Sequence, residues 1–514
     1  MPKSEPFTSV DAAWLHMDQP ANLAMITGVL MFDAPLDFAR LKATYQHRLL
    51  PAFPRFRQRV REPRLSLGLP RWELDPNFAL DHHLGQLDLA APGDDASLQA
   101  LAGELMARPL DRAHPLWHIT LVRGYGAGSA LICRLHHCIA DGLALVQVLL
   151  SLTDTAPDAA WPKPPAEAGR RPPRGLVQRL VARTTETVDQ TLTTAEHWLH
   201  DGTLALQGAL HPAEQLAVGG LYALALGKLT LLGPDQRTLL RGRCEIPKRA
   251  AWSRPVPLAV VKAIGQSLDG TINDVLLAAA VGGLRRYLER NDQVVDRLNL
   301  RALVPVNLRP SDELARLGNR FGLVLLSLPV GVREPLRRIR VLKKRMDAIK
   351  DSPEAVVAFG ILGAMGLTPA QVEDLIVKFF AAKASAVMTN VPGPREVLYF
   401  AGQPLKGLMF WVPQPGNLAL GLSILSYAGA VRIGVATDAG LVPDPETIVA
   451  GFEAELDALR RTVRPARAAP PPTHPAQAPR AKGRCQAQTR SGQRCRNQAR
   501  PGSKVCHAHR GPRK

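Results

Sequence analysis

His136-His137-Cys138-Ile139-Ala140-Asp141-Gly142 closes the run Leu131-Ile132-Cys133-Arg134-Leu135, and how it sits on that run decides the reading of the chain. The run reads as a strand, whose successive side chains point to opposite faces. One face carries Leu131, Cys133, Leu135 and His137; the other carries Ile132, Arg134 and His136. His137 therefore belongs to the apolar side, where burial keeps an imidazole neutral and able to accept a proton. An alcohol needs such a base as it attacks, and imidazole is the side chain best matched to the task near neutral pH. His136 shares its face with a cation and reads as structural. Asp141 and Gly142 follow at a sharp exit from the strand, where glycine permits a tight turn. Asp141 is placed to orient the loop by a hydrogen bond or by an ion pair with a distant arginine. The bland alternative is a satisfied pair of strand-end histidines beside an ordinary Asp-Gly turn.

The pattern resembles the signature of the CoA-dependent acyltransferase superfamily, which includes chloramphenicol acetyltransferase and the condensation domains of peptide synthetases. Further stretches are similar to one branch, the bacterial wax ester synthase/diacylglycerol acyltransferases. They are Phe7-Thr8-Ser9-Val10-Asp11-Ala12-Ala13-Trp14, Gly28-Val29-Leu30-Met31-Phe32, Pro115-Leu116-Trp117 and Asn273-Asp274 after Gly270-Thr271. Gly318-Asn319 after Pro305-Val306-Asn307-Leu308-Arg309, Asn390-Val391-Pro392-Gly393-Pro394, Ser426-Tyr427 and Pro443-Asp444 complete the set, in order, over about residues 5 to 460.

The resemblance implies an α/β fold of two similar chloramphenicol-acetyltransferase-like half-domains with an active-site tunnel between them, followed by a disordered basic tail. It implies transfer of a long-chain acyl group from acyl-CoA to diacylglycerol or a long-chain alcohol. His137 would be the proton acceptor, with His136, Asp141, Gly142 and Asn273 completing the catalytic set. Asp274, Pro115, Leu116, Trp117 and Asn390 would contact substrate. Asn273, in the first turn of a helix, either caps it or offers an amide to an oxyanion. The chemistry calls for no cofactor, acyl-CoA being a substrate. Two other readings stay open: condensation on a carrier-protein thioester, although the chain shows no recognisable carrier module, and a catalytically weak protein that binds lipid inclusions.

Composition sets the frame. With 46% hydrophobic and 21% charged residues in 514, the chain is long enough for two or three globular units. Expected divisions are a first half-domain over 1–155, a Pro-rich and helical linker over 156–250 and a second half-domain over 251–462. A disordered linker over 463–480 and a basic module over 481–514 follow. No apolar leader core and no run of 18 apolar residues is present, so neither a signal peptide nor a spanning helix is expected. The nearest runs, Leu216 to Gly227 and Ala355 to Leu367, suit core burial, a lipid-lining helix or a segment resting at a membrane interface. A cytoplasmic protein in peripheral contact with the inner membrane or lipid inclusions is the expectation.

The net charge of +19 is concentrated: from Arg464 onward ten Arg and three Lys stand without an acid, leaving +6 on the preceding 463 residues. That body suits a phosphate-bearing substrate or an anionic membrane and gives no reason to expect nucleic acid. The helix expected over Leu336 to Lys350 carries Arg337, Arg338, Arg340, Lys343, Lys344 and Arg345, either as a solvated face or against lipid headgroups or CoA phosphates. In the tail, Cys485, Cys495, Cys506 and His509, with His507 as a substitute, match the ligand set of a small structural zinc module. A disordered basic tail is the other reading, and nucleic acid or acidic lipid stays open as its partner.

Overall fold

The computed structural model describes residues 4–63, 68–163, 212–309, 317–350, 352–368, 370–462, 485–488 and 492–495. The chain divides into two compact units, Met1–Arg460 and Arg461–Lys514.

Two seven-stranded sheets build the first unit. The first runs, edge to edge, through Leu84–Asp88, Trp117–Tyr125, Gly128–His136, Met25–Phe32, Gln403–Trp411, Tyr399–Phe400 and Thr153–Asp154. Its central strands are apolar on both faces, the pattern of a sheet covered on both sides. The second runs through Val256–Pro257, Ala430–Asp438, Leu420–Tyr427, Ala386–Pro392, Leu300–Asn307 and Phe321–Leu328, with Lys248–Trp252 also paired to Ala430–Asp438. Ala386–Pro392 lies parallel to both neighbours, and the other pairings in this sheet are antiparallel.

The sequence pattern predicts strands over Leu300 to Asn307, Leu323 to Val330, Ser385 to Val391, Leu418 to Ser426 and Arg432 to Thr437, and all five appear within two residues of those ends. It predicts helices over Leu258 to Leu268, Ile272 to Arg290 and Leu336 to Lys350, observed as Leu258–Ser267, Ile272–Arg290 and Pro335–Lys350. Two strands of the second stretch join the first sheet, Tyr399–Phe400 beside Thr153–Asp154 and Gln403–Trp411 beside Met25–Phe32. Gln403–Trp411, inside the second stretch, pairs antiparallel with Met25–Phe32 of the first sheet, Leu408 facing Leu30 and Trp411 facing Thr27. Met25–Phe32 is buried except at Gly28, and an unpaired edge there would expose apolar side chains together with unbonded backbone. Covering that edge is the physical reason for the exchange.

The stretch Pro51 to Arg59, rich in proline and arginine, reads as a basic loop, but it folds as the end of the short helix Leu50–Ala52 and a 3-10 turn, Pro54–Arg57, leading into the strand Gln58–Arg61. That strand joins Arg71–Leu74 and Ser4–Pro6 in a small third sheet. The linker expected over 156–250 is described only to residue 163 and from residue 212, where the helix Pro212–Leu231 begins. In the second unit, Cys495 N–H donates to the Ala487 carbonyl (2.9 Å) and Gln488 bridges Arg494. The expected disordered linker over 463–480 lies outside the described residues, as do Cys506, His507 and His509.

Candidate active site

Gly128–His136 is an inner strand, paired on one side with Trp117–Tyr125 and on the other with Met25–Phe32, where Met25 faces His136. His137 follows directly, its N–H donating to the Ala24 carbonyl (2.8 Å), so the residue is aimed by a rigid sheet. A turn closes as Ile139 N–H donates to the His136 carbonyl (3.1 Å). Asp141 then caps the helix Gly142–Leu152, Oδ1 accepting from Ala144 N–H (2.9 Å).

The loop is held from the other half of the chain. Asp141 N–H donates to the Gly318 carbonyl and Gly318 N–H to the Ile139 carbonyl, both at 3.2 Å. Gly318 does this at φ +102°, a backbone region that residues with a Cβ avoid. The distant arginine is Arg309, whose Nη2 lies 2.6 Å from Asp141 Oδ2 and 2.7 Å from the Gly318 carbonyl. The same carboxylate oxygen accepts from Arg320 N–H (3.1 Å). Asn319 donates its amide to the His137 carbonyl and to Asp11 Oδ1, both at 2.8 Å, and its backbone N–H to the same Asp11 oxygen (3.1 Å). Burial raises the Asp11 carboxyl above the usual carboxylate range. One network thus joins the start of the chain, the histidine loop and the segment after residue 308.

The His137 side chain is enclosed, the residue being 3% exposed. Its ring stacks on Trp14 with centroids 4.0 Å apart at 23°, and Phe321 stands 5.5 Å away. Its Nδ1 is buried without a hydrogen-bond partner among the described residues. Burial pushes the imidazole down to about 4, with the Asp141 charge opposing and His136 adding to the fall. A neutral ring with an unused nitrogen is what proton acceptance needs.

His136 has a different setting. Its Nδ1 accepts from Cys138 N–H (3.2 Å), shaping the turn, and its Nε2 lies 3.7 Å from Asp18 Oδ2, beyond hydrogen-bond length. Burial works against ionisation of Asp18, but His136, Ala24 N–H and Arg112 outweigh it and hold that carboxyl at about 2. Cys138 is inert as a nucleophile: it is fully buried, and burial raises its thiol well above the ordinary value.

Other expectations shift. Gly142 does not make the turn: it is the first residue of the helix, has no left-handed φ, and a Cβ there would meet nothing within 4 Å. The turn belongs to the Asp141 cap instead. Gly142→Ala is therefore expected to leave thermal unfolding unchanged or slightly raised, by about 1 kcal/mol at most. A fall in activity without a fall in unfolding midpoint would mean that substrate uses that space.

Asn273 does not cap its helix either. Thr271 does, in a capping box whose partner is Asp274. Asp274 is 4% exposed, and its Oδ2 accepts from Thr271 N–H (2.9 Å) and Oγ1 (2.8 Å), so that oxygen holds the helix start and is not offered to a substrate. Asn390 donates to Asn273 Oδ1 (2.6 Å), bringing those two residues together. No hydrogen bond joins either to His137 among the described residues. Leu116 and Trp117 are 1% exposed core residues beside the buried Pro115, and the Trp117 indole donates to the Phe56 carbonyl (2.9 Å). Leu116 also lines a small pocket with His136, Asp18 and Arg112.

The basic helix Pro335–Lys350 spends part of its charge internally. Arg338 is buried on Glu455, and Arg345 donates to Ser327 and Asn299.

An apolar cavity of about 680 Å³, its open mouth included, lies beyond Trp14. Leu303, Leu323, Leu325, Leu362 and Phe380 line it together with Trp14, the residue stacked on His137. The helices Pro212–Leu231 and Glu354–Met365, which hold most of the two apolar runs noted in the sequence, both contribute to its wall.

Asp11, Trp14, Arg309 and Asn319 are the positioning residues that reading the motif alone does not single out. All four stand in stretches that carry the family resemblance, but nothing in their local spacing shows that they meet His137 or Asp141.

The chain matches the family model of the wax ester synthase/diacylglycerol acyltransferase catalytic domain over residues 7–276 and that of the WS/DGAT C-terminal domain over residues 317–460. It is 30% identical over 465 residues to a probable diacylglycerol O-acyltransferase of Mycobacterium tuberculosis, covering 89% of this chain and 95% of that one. A protein of the same organism carrying a putative name of that kind is 27% identical over 483 residues, with 88% and 90% covered. Among solved structures, the wax ester synthase/diacylglycerol acyltransferase from Marinobacter aquaeolei VT8 superposes with a TM-score of 0.63 at 22% identity, over 89% of this chain and 99% of that one. The first condensation domain of the calcium-dependent antibiotic synthetase superposes at 0.56 with 15% identity, over 90% and 96%, and shares the two-lobed fold. With its histidine loop clasped between two sheets, the chain belongs to the wax ester synthase/diacylglycerol acyltransferase family and is an acyltransferase.

Proposed function

We propose that the chain moves a long-chain fatty acyl group from acyl-CoA to diacylglycerol, to a long-chain alcohol, or to both, working in peripheral contact with a membrane or lipid inclusion. The observation that carries this reading is a buried, neutral His137 stacked on Trp14, whose side chain also lines an apolar cavity. His137 takes the hydroxyl proton as the oxygen attacks the thioester carbonyl carbon. The tetrahedral intermediate collapses with cleavage of the carbon–sulfur bond, and the imidazolium returns its proton to the CoA thiolate. Trp14 supports the charged moment, because an imidazolium over an indole face gains a cation–π attraction that the neutral ring lacks. The oxyanion donor is Asn273 or a backbone N–H.

Purified protein, radiolabelled palmitoyl-CoA and either dioleoylglycerol or hexadecanol, followed by lipid separation, test the reading. Labelled triacylglycerol or wax ester is the expected product. Product formed only from acyl-carrier protein would transfer the chain to the condensation reading, and recruitment to inclusions with no product at all would favour the binding reading.

For the tail, the proposal is a structural zinc held by Cys485, Cys495, Cys506 and His509. Cys485 and Cys495 are both buried and packed in one small cluster with Ala487, a setting that suits paired thiolate ligands. No group of three or more metal-ligating side chains is assembled among the described residues. Metal analysis of the full-length protein is expected to return about one zinc per chain. A content near zero would return the tail to the metal-free reading.

A further inference from the structure

The helices lining the apolar cavity have a second, outward face. On Pro212–Leu231, Ala225 and Leu229 are buried, while Leu224 is 71% and Leu231 87% exposed. On Ala370–Ala381, Val377, Phe380 and Ala381 line the cavity, while Val372, Leu375 (67%) and Phe379 face out. Leu367, in the turn before that helix, is 70% exposed. A helix that is apolar toward both the protein and its surroundings belongs in a core or against lipid.

Both acids of Ala370–Ala381 are engaged by other side chains. Glu373 is buried on His16 (2.9 Å), and Asp374 accepts from Gln19 (2.8 Å) and Lys378 (2.6 Å). What stays outward among the leucines is cationic: Lys378, 54% exposed, and Lys228, 62% exposed and paired with Glu354. Lys383 ties the two helices together. It donates to the Thr230 and Leu232 carbonyls at the end of one, and its Nζ stands 3.9 Å from the Phe379 ring of the other.

We infer that the outward faces of Pro212–Leu231 and Ala370–Ala381 are the surface by which the protein rests on an anionic lipid layer, with the cavity behind them receiving the lipid's hydrocarbon. This rests on the proposed lipid acceptor and specifies where that acceptor is met. Charge argues for the occupant: leucines with outward lysines, whose neighbouring acids are buried or already paired, fit a layer bearing anionic headgroups. Continuity argues for it as well, since the same helices wall the cavity on their other side. No described helix is long and apolar enough to cross a membrane.

Flotation with phosphatidylcholine vesicles, with and without phosphatidylglycerol, tests the surface, alongside activity on dioleoylglycerol embedded in those vesicles and on dihexanoylglycerol dissolved as monomers. Wild type is expected to float, more strongly with phosphatidylglycerol. The Leu224→Glu/Leu375→Glu variant is expected to lose flotation on the order of tenfold or more, since each leucine withdrawn from lipid is worth about a decade of partitioning. It should lose activity on the embedded substrate in parallel and keep it on the dissolved one. The Leu231→Glu/Leu367→Glu pair provides an independent variant should the first fail to fold. His137→Ala should behave oppositely, floating normally and losing both activities, so failure of the chemistry and failure of the surface give different results. Flotation of both double variants at the wild-type level would overturn the inference. So would a wild-type dimer that the variants convert to monomer without change in flotation, which would make the face a contact between copies.

Discussion

His137→Ala is expected to lower acyl transfer by ~10²–10⁴, the range lost when a positioned general base is removed. The ring it deletes is enclosed by Trp14 and Phe321, so its loss also opens a void. His137→Gln, which fills more of that space, separates the two effects: activity should stay low while stability recovers. The pH dependence follows from the same burial. With the imidazole held at about 4 in the folded chain, the acid limb of kcat/KM should fall well below 6.5, where a solvated histidine would place it. The stability effect has a definite sign. Between pH 6.5 and about 4 the unfolded chain takes up a proton that the folded chain refuses, so this residue's burial weakens folding progressively as pH falls through that window. His136→Ala should be milder, since that ring shapes the turn through Cys138 N–H. Near-normal turnover by His137→Ala would remove the residue from the mechanism.

Arg309→Ala is expected to destabilise the protein by about 3–5 kcal/mol, the range measured when one partner of a buried ion pair is removed. Both side chains are enclosed, at 3% for Arg309 and 6% for Asp141, so the surviving carboxylate has little water to turn to. Asp141→Asn should also weaken folding, because asparagine still caps the helix but removes the carboxylate charge that faces the buried guanidinium. Replacing both, as Asp141→Asn with Arg309→Met, should cost less than the two single changes added together. Urea unfolding of the four proteins measures this. A single-variant loss below about 1 kcal/mol would mean that the pair does not hold the histidine loop. Activity should fall with either single change, since the loop that aims His137 is fastened through this pair.

The sequence made the secondary structure legible wherever periodicity was strong: the strand that delivers His137, the long helix after Thr271 and the strands of the second half. His137 itself was legible because alternation separates it from its neighbour. The partners that hold it were not. Arg309 is 168 residues from Asp141, Asn319 is 182 from His137 and 308 from Asp11, and no local pattern encodes a contact across such separations. Gly142 and Asp274 misled for a related reason. A glycine after aspartate looks like a turn residue, and an acid beside asparagine looks like a ligand, until the cap that uses each is seen. The indole bond of Trp117 to the Phe56 carbonyl was equally hidden, because a tryptophan in a short motif gives no sign of what its N–H meets.

The late strand Gln403–Trp411, seated beside the early strand Met25–Phe32, governs how the molecule is made. During synthesis more than four hundred residues must emerge before the first sheet can be completed. Throughout that interval the nascent chain carries a sticky, half-finished edge suited to pairing with the wrong neighbour. Cutting the gene at the apparent midpoint should therefore yield two insoluble fragments rather than two working halves, and co-expression of the fragments is the route by which solubility could return.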